Sequence, residues 1–166
     1  MFRQLIGPAF EKLSTEIRRL HTPPAIRSFS GQCEIKRGSS AISHLFGWAA
    51  RLPPAGTMPV IITIHTCSNK EIWSRQFGAH PMQSTLRIKN DLLVESLGLA
   101  QMVFRVEVIA ERIYWRLVAV RSLGVPFPRT WFDLDVWEGV EDGRYCFNVR
   151  VCLRGALLVH YQGWLA

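Results

Sequence analysis

Two acidic side chains at alternate positions are the first candidates for chemistry in this sequence. Asp133 and Asp135 are separated by one residue, so a β-strand would place both carboxylates on one face together with Trp131 and Trp137. Paired carboxylates can share a proton or bind a cation. Surface acids near arginines more often form a solvated ion-pair patch, and this chain is rich in arginine. We therefore expect an ion-pair patch, and an enzyme that uses this pair is the less favoured hypothesis.

Histidine and cysteine are too scattered to predict a metal site or a nucleophile. The histidines form no local ligand pair of the kind that zinc sites usually have. They are His21, His44, His65, His80 and His160. His65 and Cys67 would share one strand face, but a Cys–His dyad at that spacing requires turned side chains. We predict no catalytic residue, no metal site and no cofactor.

Aromatic residues are the strongest remaining indication of a binding site. The chain contains six Trp, nine Phe and three Tyr, and several share the parity predicted to face inward in their strands. Such a lining could hold an apolar ligand whose polar head is fixed by a charged side chain. The alternative is a barrel filled with its own side chains. The candidate residues are Trp73, Phe77, Phe104, Trp115, Tyr145, Phe147 and Tyr161 for the apolar body, with Arg75 or Glu138 for the head.

An amphipathic helix is predicted over residues 8–21. Apolar residues spaced by four and three form one helical stripe: Ile6, Phe10, Leu13, Ile17 and Leu20. Pro8 suits the start of a helix. The segment Thr22-Pro23-Pro24 is predicted to end it, because a residue that precedes proline avoids the α region.

A strand and a helical lid are predicted next. Residues 26–37 alternate between apolar and polar side chains, which is typical of a half-buried strand. Gly38-Ser39-Ser40 then breaks the pattern and could cap a helix. Residues 41–52 are apolar on most sides and predict a short helix. We expect this helix to cover the mouth of a barrel, and contact with a membrane or gating of a ligand is the sharper alternative.

A long antiparallel meander is predicted over residues 58–165. About ten alternating segments are separated by short turns, which leaves no room for the helical crossovers of a parallel sheet. A sheet of that size must hide its edges, so we expect a barrel or a rolled half-barrel. The layout is mainly β with added helices (α+β) and is similar to that of calycin-like lipid-binding barrels, an analogy that does not fix function.

Composition limits the class of protein. The 166 residues predict one domain over residues 1–166, and 48% hydrophobic with 20% charged residues excludes a disordered chain. The net charge of +7 comes from 16 Arg and 4 Lys that are dispersed along the chain, so we expect no nucleic-acid partner. The start of the chain lacks the pattern of a signal peptide and no apolar run is long enough to span a bilayer. We expect a cytoplasmic protein with reduced cysteines, and a membrane partner is disfavoured.

Four local motifs, taken in order, resemble a known family. They are Trp73-Ser74-Arg75-Gln76-Phe77-Gly78, Gly124-Val125-Pro126-Phe127-Pro128, Gly143-Arg144-Tyr145-Cys146-Phe147-Asn148-Val149 and Tyr161-Gln162-Gly163-Trp164-Leu165. Together with the N-terminal helix they resemble an uncharacterised bacterial family, domain of unknown function 4166. Members of that family are similar to domains found alone or joined to NAD(P)-dependent dehydrogenase-like domains. The resemblance implies a binding or accessory role, and the chain has no Gly-x-Gly-x-x-Gly loop of its own for a dinucleotide.

These observations lead to one functional hypothesis and one alternative. We expect a non-enzymatic β-barrel that binds a hydrophobic or amphipathic small molecule in an internal pocket of roughly a few hundred Å³. The alternative is a protein-interaction or accessory domain, which docks on an oxidoreductase partner or on a second copy of itself.

Overall fold

The main feature of the fold is a closed antiparallel β-barrel, which the computed structural model describes over residues 1–22, 24–50 and 52–166. The strands are β1 (Ile26–Arg37), β2 (Gly56–Cys67), β3 (Lys70–Phe77), β4 (His80–Lys89), β5 (Leu92–Leu97), β6 (Ala100–Ile109), β7 (Arg112–Ser122), β8 (Val125–Phe127), β9 (Phe132–Glu141), β10 (Arg144–Leu153) and β11 (Ala156–Leu165). Ten of them form the ring. The remaining strand, β8, pairs with the end of β7.

The strands follow the order of the chain around the ring, which is closed by two pairings between strands that are not consecutive. Strands β1 to β7 pair in sequence, and so do β9, β10 and β11. Strand β11 then pairs with β1, from Gly31 opposite Leu165 onward. The second closure is short, because β7 pairs with β9 through Ile113 opposite Glu138 and the neighbouring pair. The prediction of an antiparallel barrel of about ten strands is therefore confirmed.

Tight hairpins connect several of these strands and explain the short turns of the sequence. At Asn90-Asp91 both residues have positive φ, of 52° and 57°, and Asp142-Gly143 is similar with 50° and 70°. Two residues in this left-handed conformation form the hairpin turn whose twist matches that of the flanking strands. Asn, Asp and Gly adopt it at low cost, so these turns fix the register of the barrel.

The N-terminal segment is helical but discontinuous. It consists of α1 (Phe2–Ile6), a 3₁₀ turn (Gly7–Lys12) and α2 (Thr15–His21). The prediction of one helix over residues 8–21 is wrong in this respect, because Leu13 and Ser14 are extended and Ser14 precedes α2 as its N-cap residue. The apolar stripe is nevertheless buried from Phe10 onward. The helix ends at His21 and Thr22 is extended, as predicted, whereas Pro23 lies outside the described residues.

The predicted lid is also present and is shorter than expected. Helix α3 spans Ala41–Ala49, and the Ser40 side chain accepts a hydrogen bond of 3.1 Å from the backbone N–H of Ser43. The prediction of 41–52 included Arg51, which lies outside the described residues. Within the part of the chain that the structure describes, no helix has the length and apolar character needed to cross a bilayer.

Candidate functional site

The two ends of the barrel are covered by different helices. Helix α2 lies at the end where β1 begins, because the Leu20 carbonyl accepts a hydrogen bond of 2.6 Å from Nε of Arg27. Helix α3 lies at the other end, where the Ser43 hydroxyl donates to the Leu158 carbonyl at 2.9 Å. We call the first the plugged end and the second the mouth.

A cavity lies inside the barrel between these ends. Water can occupy about 80 Å³ of it, whereas the whole space between the lining atoms, including the part open to solvent, is about 890 Å³. The smaller volume decides what enters without movement, and it corresponds to several waters at roughly 10–15 Å³ each. It falls short of the few hundred Å³ expected from the sequence, so the space suits a slim occupant.

All nine residues predicted from the sequence line this one cavity. They are Trp73, Arg75, Phe77, Phe104, Trp115, Glu138, Tyr145, Phe147 and Tyr161. Their strand parity explains the placement, because alternate residues of an antiparallel strand point to the inside of the ring. Contact with a ligand stays a prediction for each of them.

The lining near the mouth is apolar. On the lid side it is closed by Phe46 of α3 and by Leu52 after it. The strands also contribute aliphatic and thioether side chains to the cavity wall: Met82, Leu97, Met102, Leu134, Val151 and Val159. An occupant that passes the mouth therefore meets apolar surface first.

Arg75 is the cation of the cavity wall, and protein partners already surround it. Its Nη1 donates to the Ser84 hydroxyl at 2.8 Å, and its Nη2 lies 3.4 Å from Oε1 of Glu95. The guanidinium also stacks at 5.1 Å from the centre of the Trp73 ring. Glu95 was not predicted, although its position between Leu93 and Leu97 on the inward parity of β5 is a signal for a buried acid.

Glu138 lies closer to the plugged end, and its carboxylate contacts helix α2. Its Oε2 is 2.5 Å from Nε2 of His21, which α2 carries at its last position. Burial raises the pKa of the neighbouring Tyr145 well above its usual value, and the charge and hydrogen bond of Glu138 add to this increase. Burial likewise raises the pKa of Tyr161, so both phenols stay protonated. No periodicity could have paired His21 with Glu138, because 117 residues separate them.

Trp115 has an unsatisfied polar atom beside the cavity. Its side chain packs against Phe104 and Trp73, with ring centres 5.5 and 6.4 Å away. Within the described part of the chain, its indole N–H has no hydrogen-bond partner. Buried N–H groups are nearly always paired in folded proteins, so this donor lacks the acceptor that such a group ordinarily has.

A second buried ion pair closes the plugged end below the cavity. Nη2 of Arg27 lies 3.1 Å from Oε1 of Glu71, and the indole of Trp73 donates to the other oxygen of Glu71 at 3.0 Å. Nη1 of Arg27 also donates to Thr66 at 2.8 Å. Glu71 shares the parity of Trp73 and Arg75 along β3, which is the sequence signal that would have found it.

The other candidates for chemistry lie outside the cavity. Asp133 accepts a hydrogen bond of 2.9 Å from Arg150, and Asp135 accepts one of 3.0 Å from Asn148. Asp133 therefore forms an ion pair of the kind that the sequence favours, whereas Asp135 is bound by a neutral amide. Cys33 is buried, and burial together with the charge of the adjacent residue raises the pKa of its thiol to about 12. Over residues 1–22, 24–50 and 52–166 there is no group of three metal-binding side chains.

Comparison with known proteins identifies a family. A search of curated proteins finds no match to the chain. Residues 13–165 match the model of a family described as a domain of unknown function (DUF4166). The match covers all the strands of the barrel and agrees with the resemblance of the four motifs. Since it extends over most of the sequence, the chain belongs to the domain-of-unknown-function family DUF4166.

Proposed function

We propose that this barrel binds a slim hydrophobic or amphipathic small molecule without transforming it. The observation that carries the proposal is the internal cavity, which has a closed floor, an apolar mouth and a few buried polar groups on an aromatic wall. Ligand sites usually combine these features. The volume of about 80 Å³ favours a single linear chain over a fused-ring compound. The similarity in layout to calycin-like lipid-binding barrels is consistent with the same proposal.

Entry at the mouth follows from the way the two ends are closed. The plugged end is filled by buried side chains of α1 and α2, among them Phe2 and Ile17. At the mouth, Phe46 and Leu52 are the cover. A ligand larger than the present space can be admitted when these two side chains move.

Native mass spectrometry of the protein purified from its host tests the proposal. We expect a retained small molecule of one defined mass, bound one to one. The variant Met102→Trp, which adds bulk to the cavity wall, should lose that mass. Val103→Trp is the matched control, because Val103 faces the outer groove of the same sheet. Retention of the ligand by Met102→Trp, or no ligand in any preparation and no binding of added amphiphiles, would count against the proposal.

A second candidate function is docking on a protein partner, which the sequence analysis associates with an oxidoreductase or a second copy. The outer side of α3 favours it, because Ile42, Leu45 and Trp48 are 56%, 65% and 75% exposed. Contiguous exposed apolar side chains often mark an interaction surface. Sedimentation of the wild type and of Trp48→Ser tests this candidate. A dimer that Trp48→Ser converts to a monomer supports a second copy as the partner, and a monomer in both argues against it.

A further inference from the structure

The polar groups of the cavity are concentrated in its deeper half. Along β3 the inward residues run from the mouth to the plugged end as Phe77, Arg75, Trp73 and Glu71. Arg75 contacts Glu95, and Trp73 lies beside His21, the partner of Glu138, whereas Phe77 packs against the ring of Tyr161. An amphipathic occupant is therefore oriented, with its head deep and its chain toward the mouth.

The deep charges are already paired. Arg75 is matched by Glu95, and the carboxylate of Glu138 is matched at most by His21. The sum over these four groups therefore leaves no surplus positive charge for an anionic head. Burying a charged group without a partner is costly, so a carboxylate or phosphate head is rejected.

The unpaired donor distinguishes the two remaining kinds of head. An ammonium group has donors and no acceptor, so it cannot satisfy the N–H of Trp115, which is buried to 5% exposure and has no partner within the described residues. A hydroxyl or carbonyl oxygen can accept this hydrogen bond. A hydroxyl can in addition donate to a carboxylate such as Glu95 or Glu138.

We propose that the cavity selects linear amphiphiles with an uncharged oxygen head, of the alcohol or carbonyl class, bound with the oxygen at Trp115 and the chain toward the mouth. This inference rests on the proposed ligand-binding function. It adds the chemical class and the orientation of the ligand, which the cavity volume alone does not give. The distance from Trp73 to Phe77 along β3 is about 13 Å at roughly 3.3 Å per residue, which a medium-length straight chain can span.

A matched ligand series tests the head group on the unmodified protein. 1-Decanol, decanoate and decylammonium share one chain and differ in head, and isothermal titration calorimetry at neutral pH gives each affinity. We expect 1-decanol to bind at least about tenfold more tightly than the two charged ligands. Equal or tighter binding of decanoate or decylammonium overturns the inference and leaves the proposed function standing. Failure of all three ligands to bind overturns both.

The variant Trp115→Phe tests the donor itself. It keeps a ring in place and removes the N–H, so we expect the affinity for 1-decanol to fall about two- to tenfold, the range of one hydrogen bond. Trp48→Phe on the exposed side of α3 is the matched control and should bind like the wild type. An unchanged affinity in Trp115→Phe overturns the role of this N–H. Should that variant fail to fold, the ligand series decides the inference without it.

Discussion

The two ends of the barrel are held by two arginines of one strand, and these arginines differ in their partners. Arg27, near the start of β1, binds the carboxylate of Glu71 and the Leu20 carbonyl of the plug. Arg37, the last residue of β1, donates to backbone carbonyls around the lid, including that of Pro53 at 3.0 Å. Charged partners hold the plugged end, and neutral carbonyls hold the mouth.

This difference indicates which end can open. Two opposite full charges at hydrogen-bond distance also gain Coulomb energy that a neutral carbonyl does not supply. The helices of the plugged end bury their apolar residues, whereas α3 buries Ser43 and Gly47 and exposes much of its apolar surface. Segments with few buried apolar contacts open most easily. We infer that the plug contributes to stability and that the lid is the part that moves.

The largest expected loss of stability comes from removing the cation that pairs with Glu71 at the plugged end. Arg27→Met leaves Glu71 buried without its cation, which should lower the free energy of unfolding by about 3–5 kcal/mol. Chemical denaturation of the wild type and the variant measures the change.

Arg37→Met is the matched change at the mouth. It removes hydrogen bonds to carbonyls and leaves no buried charge without a partner, so we expect a loss of about 1–2 kcal/mol. Equal losses for the two variants, or a larger one at Arg37, would contradict the difference between the ends.

The apolar residues of the two helices provide a second comparison. Ile17 of α2 is fully buried, so Ile17→Ala should cost about 2–5 kcal/mol through lost burial and the cavity it leaves. Leu45 of α3 is 65% exposed, and Leu45→Ala should change the free energy by less than about 0.5 kcal/mol. Thermal and urea unfolding of both variants give the values. A large loss at Leu45 would mean that a partner or a second copy covers α3.

Most of the fold could be predicted because the signals are local. Alternation with period two identified β1 and the meander, and turns such as Asn90-Asp91 separated the strands. Closure of the ring also followed, since a ten-stranded sheet must hide its edges. The break at Ser14 did not follow, because an apolar stripe with helical spacing is compatible with two short helices that pack on the same surface.

Strand parity predicted which residues line the candidate site. It did not predict which side chains are their hydrogen-bond and ion-pair partners. Inward parity placed Arg75 and Glu138 on the cavity wall. The partners Glu95 and His21 depend on which strands meet across the ring, and on where α2 ends after the plug has docked. The open N–H of Trp115 depends on every neighbour at once. Such properties arise only when the elements have packed.

A smaller effect concerns the contact between the lid and β1. A Cβ at Gly47 would overlap the guanidinium of Arg37, so Gly47→Ala displaces that side chain and loses its hydrogen bonds, at about 1–2 kcal/mol. The better helix propensity of alanine offsets about 1 kcal/mol. We therefore expect a net loss below about 1 kcal/mol and faster hydrogen exchange in α3.

A double-mutant cycle isolates this contact. In the Arg37→Met background the guanidinium is absent, so Gly47→Ala should stabilise the protein by about 1 kcal/mol. Additive effects of the two substitutions would show that Gly47 and Arg37 do not meet, and that the lid is held in another way.

The smallest expected effect is a dependence of folding stability on pH, caused by a histidine on the outer wall of the barrel near the mouth. His160 of β11 lies two residues from Leu158, which anchors α3, and its Nε2 is 2.8 Å from Oδ1 of Asn148. Partial burial lowers the pKa of His160, and nearby cations lower it further. The charged groups that face it are Lys36, Arg150, Glu34 and Asp135.

Acid should therefore weaken the folded state through His160. The folded pKa lies below the ordinary value of about 6.5, so the unfolded chain takes up the proton first and stability falls as the pH drops below that value. The loss should stay under about 1 kcal/mol, the scale of a partly exposed charge, because His160 is only partly buried. His160→Gln removes the titration, and its stability relative to the wild type should rise between pH 7 and pH 5. A constant difference over that range would show that His160 does not couple acid to the mouth. Faster exchange confined to β11 and α3 in the wild type would show that it does.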